Sequence, residues 1–189
     1  MNLNIAAVGN DHVDVQGTLP EGTVIRDLDA HVDPRGAFTE VYADQWELPI
    51  VPEQWSIVRS TARVLRGMHV HWQHDEYFMV LAGRAMVGLH DIRPNSPTHG
   101  RGCLIDLRPE TPSCLAFPRG ILHGWYFPVP TLHLQGVSEA HSSYHPHDNQ
   151  GCHFGDPALD IPWPDQAPIL SQRAAGFPSL AELLAKNGG

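Results

Sequence analysis

Cysteine is scarce in this chain. Cys103, Cys114 and Cys152 are the only three among 189 residues, and no two stand in CxxC spacing. So small and scattered a set excludes a disulfide framework and a thiolate zinc site. Positive charge is scarce as well. Twelve Lys and Arg against twenty-one Asp and Glu leave a net charge of −9, without a basic run, which argues against nucleic acid as a partner. The opening residues MNLNIAAVGNDHVDV carry neither a basic start nor a long apolar stretch. We therefore expect no signal peptide, no membrane span and a cytoplasmic location.

Turn formers are abundant, with seventeen Gly and seventeen Pro. Between them run short apolar segments: VLRGMHVHW, EYFMVLAGRAMVGLHDI, GCLIDL, SCLAFP and TLHLQGVS. None offers ten residues of clean helical periodicity, and Val, Ile, Leu and aromatics dominate. The reading is a single all-β domain over residues 1–189, a sandwich or barrel. RPNSPTHG (93–100) reads as a loop. The exception is a C-terminal helix over 179–187. Ser179 and Glu182 form a capping box, Leu180, Leu183 and Leu184 make one stripe, and Asn187-Gly188-Gly189 stops it.

Thirteen histidines are the compositional anomaly. His69 and His71 sit at i and i+2, the same face of a strand. Glu76 has the wrong parity for that strand, but a hairpin turn at WQHD would bring it alongside. FPRGILHGW then supplies His123 after a turn at Pro118 and Gly120. HxH, Glu76, Gly83 and a later PxGxxH match the spacing of the two cupin motifs, except for the usual early Gly. Three imidazoles and one carboxylate suit a divalent transition metal: Fe, Mn, Ni, Co, Cu or Zn, held by His69, His71, Glu76 and His123. The bland alternative is a metal-free polar pocket, because one HxH is expected by chance in a chain this rich in His. His145-Pro146-His147 is indeed a second. His74 and Asp75 read as exposed turn residues, and HSSYHPHDNQGCH (141–153) as a solvated connection.

Further phrases carry a resemblance over nearly the whole chain. DPRGAFTE (33–40), LRGMH (65–69), DIRPNSPTHG (91–100), FPRGILHGW (117–125), YHP (144–146), DPALDIPWP (156–164) and LSQR (170–173) are similar, in order and spacing, to the dTDP-4-dehydrorhamnose 3,5-epimerase family. The resemblance implies a cupin jelly-roll barrel and a homodimer that exchanges strand contacts. It implies a nucleotide-linked 4-keto sugar as substrate. A His base would remove a proton beside the ketone, a Lys would stabilise the enolate and a Tyr would return a proton. The base matches His69 and the second pocket His matches His123. Arg35 and Arg66 match the diphosphate clamp, with Phe38, Glu40 and Gln54 at nucleotide- or substrate-contact positions. A surface ion pair is the ordinary alternative for the two arginines.

Three expected parts are missing. The Tyr position falls on or near Ser138, the Lys position on Glu76, and the Asp that steadies the base on Ala174. The change that removes the Lys also completes the metal motif, so an ion could replace the ammonium. A metal-bound His69 could not then be the base, leaving a metal-bound hydroxide or another group, such as a second His or Tyr126. The expectation is a divergent sugar-nucleotide epimerase or isomerase. The alternatives are a metal-dependent cupin enzyme on another small molecule, an Fe dioxygenase for instance, and a non-catalytic sugar- or nucleotide-binding module.

Overall fold

The computed structural model describes residues 13–140, 142 and 148–187. Tyr144, His145, Pro146, His147 and the closing Gly188-Gly189 lie outside them, as does most of the opening stretch. The chain forms β1 (Asp14–Gly17), β2 (Val24–Asp27), β3 (Ala30–Asp33), β4 (Gly36–Thr39) and β5 (Gln54–Ser60). Then come β6 (Val64–Val70), β7 (Glu76–Ala82), β8 (Ala85–Asp91), β9 (Gly102–Leu107) and β10 (Ser113–Phe117). β11 (Ile121–Phe127), β12 (Thr131–Val137) and β13 (Gln150–Gly151) complete the strands, followed by α1 (Gln172–Ala175) and α2 (Leu180–Lys186).

Two antiparallel sheets face each other. One has the order β1-β9-β8-β11-β6-β13 and the other β2-β10-β7-β12-β5, while β3 and β4 make a separate hairpin. The fold is the expected all-β jelly roll. GCLIDL coincides with β9, and the Gly83-Arg84 corner splits the long apolar run into β7 and β8.

Alternation explains how the layers bind. Phe78 and Val80 on β7, Val87 and Leu89 on β8, and Trp125 and Phe127 on β11 meet between the sheets. The intervening residues Leu65, Leu104, Leu122 and Tyr126 point outward from the six-stranded sheet. Phe154, Leu159, Trp163, Leu180 and Leu183 from the C-terminal region cover them. Each such side chain contributes about 1.5–3 kcal/mol on burial. α2 carries the expected capping box between Ser179 and Glu182, so its leucine stripe docks as a preformed unit.

His133 is the polar exception in the barrel interior. It follows the period-2 pattern of β12 and lies fully buried. Its ring is 4.7 Å from Phe78 and 5.2 Å from Phe127, centroid to centroid. Neither ring nitrogen has a hydrogen-bond partner among the described residues. Burial, with the Arg66 charge behind it, lowers its pKa to about 4. The unfolded ring takes a proton below about 6.5, while the folded ring resists until about 4. Unfolded chains therefore bind more protons across that window, and stability falls as the pH drops through it. We expect His133→Leu to gain about 1 kcal/mol at neutral pH. Urea unfolding at a series of pH values should also show a shallower acid limb between about 6.5 and 4.

Candidate functional site

β6 and β11 pair with His69 opposite His123. Their backbones approach so closely that a Cβ on Gly67, at φ 124°, would lie 2.6 Å from Gly124 Cα and from the His123 carbonyl. Only glycine fits there, which accounts for the RGMH phrase physically.

The chain then leaves the six-stranded sheet at Val70 and joins the five-stranded sheet at Glu76. The hairpin turn expected at WQHD is not formed. β6 and β7 belong to different sheets, and residues 71–75 cross between them. The crossing brings Glu76 in from the opposite sheet, beside Phe117 and Val137. Asp148 fastens it by accepting from Trp72 N at 2.7 Å and Gln73 N at 3.2 Å.

The Glu76 carboxylate is 2% exposed. Its Oε1 lies 3.6 Å from His71 Nε2, 3.3 Å from His74 Nε2 and 3.8 Å from His123 Nε2. Its Oε2 accepts from Gln135 Nε2 at 2.9 Å. A buried carboxylate is tolerable only with such partners.

Donor atoms of His71, Glu76 and His123 all lie within 4.8 Å of one another. Donors around one first-row ion at about 2.0–2.2 Å sit roughly 3.0–3.6 Å apart, so the two His–Glu spacings need only a small contraction. His69 stands beside this set instead of in it. Its ring centroid is 6.4 Å from that of His71 and 6.3 Å from that of His123, with Phe177 packed edge-on at 5.6 Å.

The imidazoles differ in charge. Burial, reinforced by His123, His71, Arg173 and Arg66, lowers His69 to about 3. Burial, with His123 beside it, lowers His71 to about 3, and burial takes His123 to about 4. All three are neutral near pH 7, the form that ligates metal or accepts a proton. His123 Nδ1 faces the Ile121 carbonyl at 3.0 Å, which leaves Nε2 with the lone pair directed at the site.

His74 goes the other way. Burial alone would lower its pKa, but hydrogen bonds and charge from Glu76, Glu139 and Asp148 raise it. The exposed position expected for His74 is corrected: it is 4% exposed, with Nδ1 3.3 Å from Glu139 Oε2. Asp75 is not a free turn residue either. It accepts from Arg119 N at 3.0 Å, and its own N–H donates to Ser138 Oγ at 2.8 Å. The solvated reading of 141–153 also fails where it is described, since Asp148, Gly151 and Cys152 are buried and β13 pairs with β6.

A pocket of about 230 Å³ opens over Glu76. Gln54, Gln135 and Val137 line it from the five-stranded sheet. His71 and His74 line it from the crossing, and Glu139 and Asn149 from the segments beyond β12. Other expected site residues are placed elsewhere. Arg35 and Phe38 lie on the β3–β4 hairpin, exposed, with Arg35 paired to Asp33. Glu40 follows the hairpin and is also exposed. Arg66 spans from β6 to β5, donating to Ser60 Oγ at 2.9 Å. Tyr126 is three residues from His123 and has the opposite parity. It points outward and donates to Asp165 at 3.2 Å, away from the pocket.

The position directly after LSQR, Ala174, is 3% exposed, and the Arg173 guanidinium lies 5.3 Å above Phe177. His74, Gln135, Glu139 and Asp148 are the site residues that sequence reasoning missed. Only Gln135 carried a local signal, through its alternation with His133 on β12.

Comparison with known proteins decides the family. Residues 18–182 match dTDP-4-dehydrorhamnose 3,5-epimerase. This chain belongs to the dTDP-4-dehydrorhamnose 3,5-epimerase family. It is 31% identical over 163 residues to the dTDP-4-dehydrorhamnose 3,5-epimerase of Salmonella typhimurium, covering 80% of this chain and 87% of that one. It is 31% identical over 160 residues to the dTDP-4-dehydrorhamnose 3-epimerase of Streptomyces niveus, covering 79% and 75%. A solved Legionella pneumophila 3,5-epimerase in complex with dTDP-4-keto-L-rhamnose superposes with a TM-score of 0.81 at 27% identity, covering 93% and 96%. The chain is thus an isomerase-family protein, and no helix among the described residues is long and apolar enough to cross a membrane.

The Gln135–Glu76 hydrogen bond is the simplest part of the site to test. Gln135→Leu leaves one carboxylate oxygen buried without its donor, and urea unfolding should read a loss of about 1–3 kcal/mol.

Proposed function

We propose that this family member epimerises a single carbon beside the ketone of a dTDP-linked 4-keto sugar, with His69 as the base and a divalent metal beside it. The observation that carries the reading is the separation of His69 from the His71–Glu76–His123 set. Proton removal and charge stabilisation no longer compete for one imidazole.

His71, Glu76 and His123 would hold the ion, and their chemistry fits: two neutral imidazoles and a buried carboxylate. When bound, the ion supplies the positive charge that withdraws electron density from the ketone. His69 keeps its lone pair at working pH and accepts the substrate proton. Arg66, at the edge between the sheets, meets the diphosphate. Of the described tyrosines, Tyr126 turns to Asp165, Tyr77 to the Val41 carbonyl and Tyr42 to Asp44. Ser138 is tied to Asp75. This supports inversion at one carbon, with the proton returned by solvent to the face opposite the one that lost it.

In D₂O, the protein should place deuterium beside the ketone of dTDP-4-keto-6-deoxyglucose. His69→Asn should lower that rate by about 100-fold or more while keeping its metal by mass spectrometry. His71→Ala and Glu76→Ala should lose the metal. Deuterium uptake unaffected by His69→Asn would overturn the reading. Two imidazoles and a carboxylate also suit an iron oxygenase. Oxygen consumption without deuterium uptake would establish that second reading instead.

We also infer a homodimer. β5 ends its sheet and exposes Trp55 and Ile57, and the neighbouring hairpin exposes Val32 and Phe38. An apolar open edge of this kind calls for a second chain. A second copy docked there would also bring Arg35 and Phe38 toward a pocket. Sedimentation should give twice 20.9 kDa, and Ile57→Asp should shift the population toward monomer.

A further inference from the structure

A base must hold its lone pair on the line of the proton it removes. An imidazole commonly keeps that line through a hydrogen bond at its second nitrogen. His123 has such a bond, to the Ile121 carbonyl. Among the described residues none is hydrogen-bonded to the His69 ring, which is held by packing. Its edge-on partner is Phe177, with the ring planes 86° apart, a geometry that aromatic pairs favour. Phe177 reaches His69 across β13. Gly151 is the β13 residue paired with His69, and its backbone is not among the left-handed glycines. A Cβ there would lie 2.4 Å from the Met68 carbonyl oxygen and 2.5 Å from Phe177 Cε2. The glycine is therefore a matter of space, and it lets the phenyl ring lie over the strand. The ring is fixed from other directions too. The Arg173 guanidinium that lies over it donates to the Asn149 carbonyl at 2.6 Å. Phe177 N donates to the Ala174 carbonyl at 3.3 Å, and the next carbonyl, of Pro178, accepts from His153 N at 2.9 Å.

Resting on the reading of His69 as the base, we propose that Phe177 is its positioning residue. The phenyl ring, seated over Gly151 and backed by Arg173, blocks rotation of the imidazole and keeps its lone pair directed at the substrate. Packing does for His69 what a hydrogen-bonded carbonyl does for His123. Phe177 does not line the pocket over Glu76, so its effect on the reaction passes through His69.

Deuterium uptake into dTDP-4-keto-6-deoxyglucose, run as a double-mutant cycle, tests this. Phe177→Leu should lower kcat about tenfold or more, as a misaligned reacting group does, with KM changed by about twofold or less. In a His69→Asn background the same substitution should change the residual rate by about twofold or less, because the group it positions is gone. Phe177→Met, which fills the space without a rigid ring, is read in its place if Phe177→Leu does not fold. An unchanged kcat, with or without a change in KM, would overturn this proposal alone. An equal loss with and without His69 would give Phe177 a general packing role and overturn it likewise, as would unfolding of both variants. No uptake by the wild type, or uptake unaffected by His69→Asn, would overturn the epimerase reading and this proposal with it.

Discussion

A single buried carboxylate organises this molecule. Glu76 enters the barrel interior at the first residue of β7, where burying an unpaired charge would cost several kcal/mol. The chain meets that cost with four groups drawn from three segments. His71 and His74 come from the crossing, His123 from β11 and Gln135 from β12. Because they converge from both sheets, the carboxylate ties the two halves of the barrel together at the pocket. Asp148 holds the crossing from a third direction.

The surrounding packing makes this convergence possible. Gly67 lets β6 and β11 approach within a distance that no side chain would permit. That contact sets His69 against His123. Below the polar layer, Phe78, Phe117 and Trp125 form an aromatic floor, with Trp125 5.1 Å from His123. The floor strips water from the imidazoles and keeps them neutral, the state both ligation and proton acceptance require. The same dryness strands His133 one layer deeper, where its position serves the strand pattern and no hydrogen bond.

Three positions around the pocket share one local logic. Glu76 is a buried carboxylate, and histidines gather around it. Ser138 braces Asp75 and the crossing. Ala174 is the buried residue of α1, and Arg173 beside it lends positive charge to the neighbourhood of His69. Positive charge near His69 therefore comes from the Arg173 and Arg66 guanidiniums.

The sequence by itself determined the strand content, the C-terminal capping box and the spacing that puts His69, His71, Glu76 and His123 in one neighbourhood. These are local properties: strand alternation, cap chemistry and turn residues act over a few positions. Only the tertiary structure decided that residues 71–75 cross between sheets, so that His74 is buried and Asp148 becomes a brace. It also decided that His69 stands outside the donor set and that Tyr126 faces outward. Those outcomes depend on which sheet a strand joins and on contacts across some seventy residues, and no local pattern encodes either.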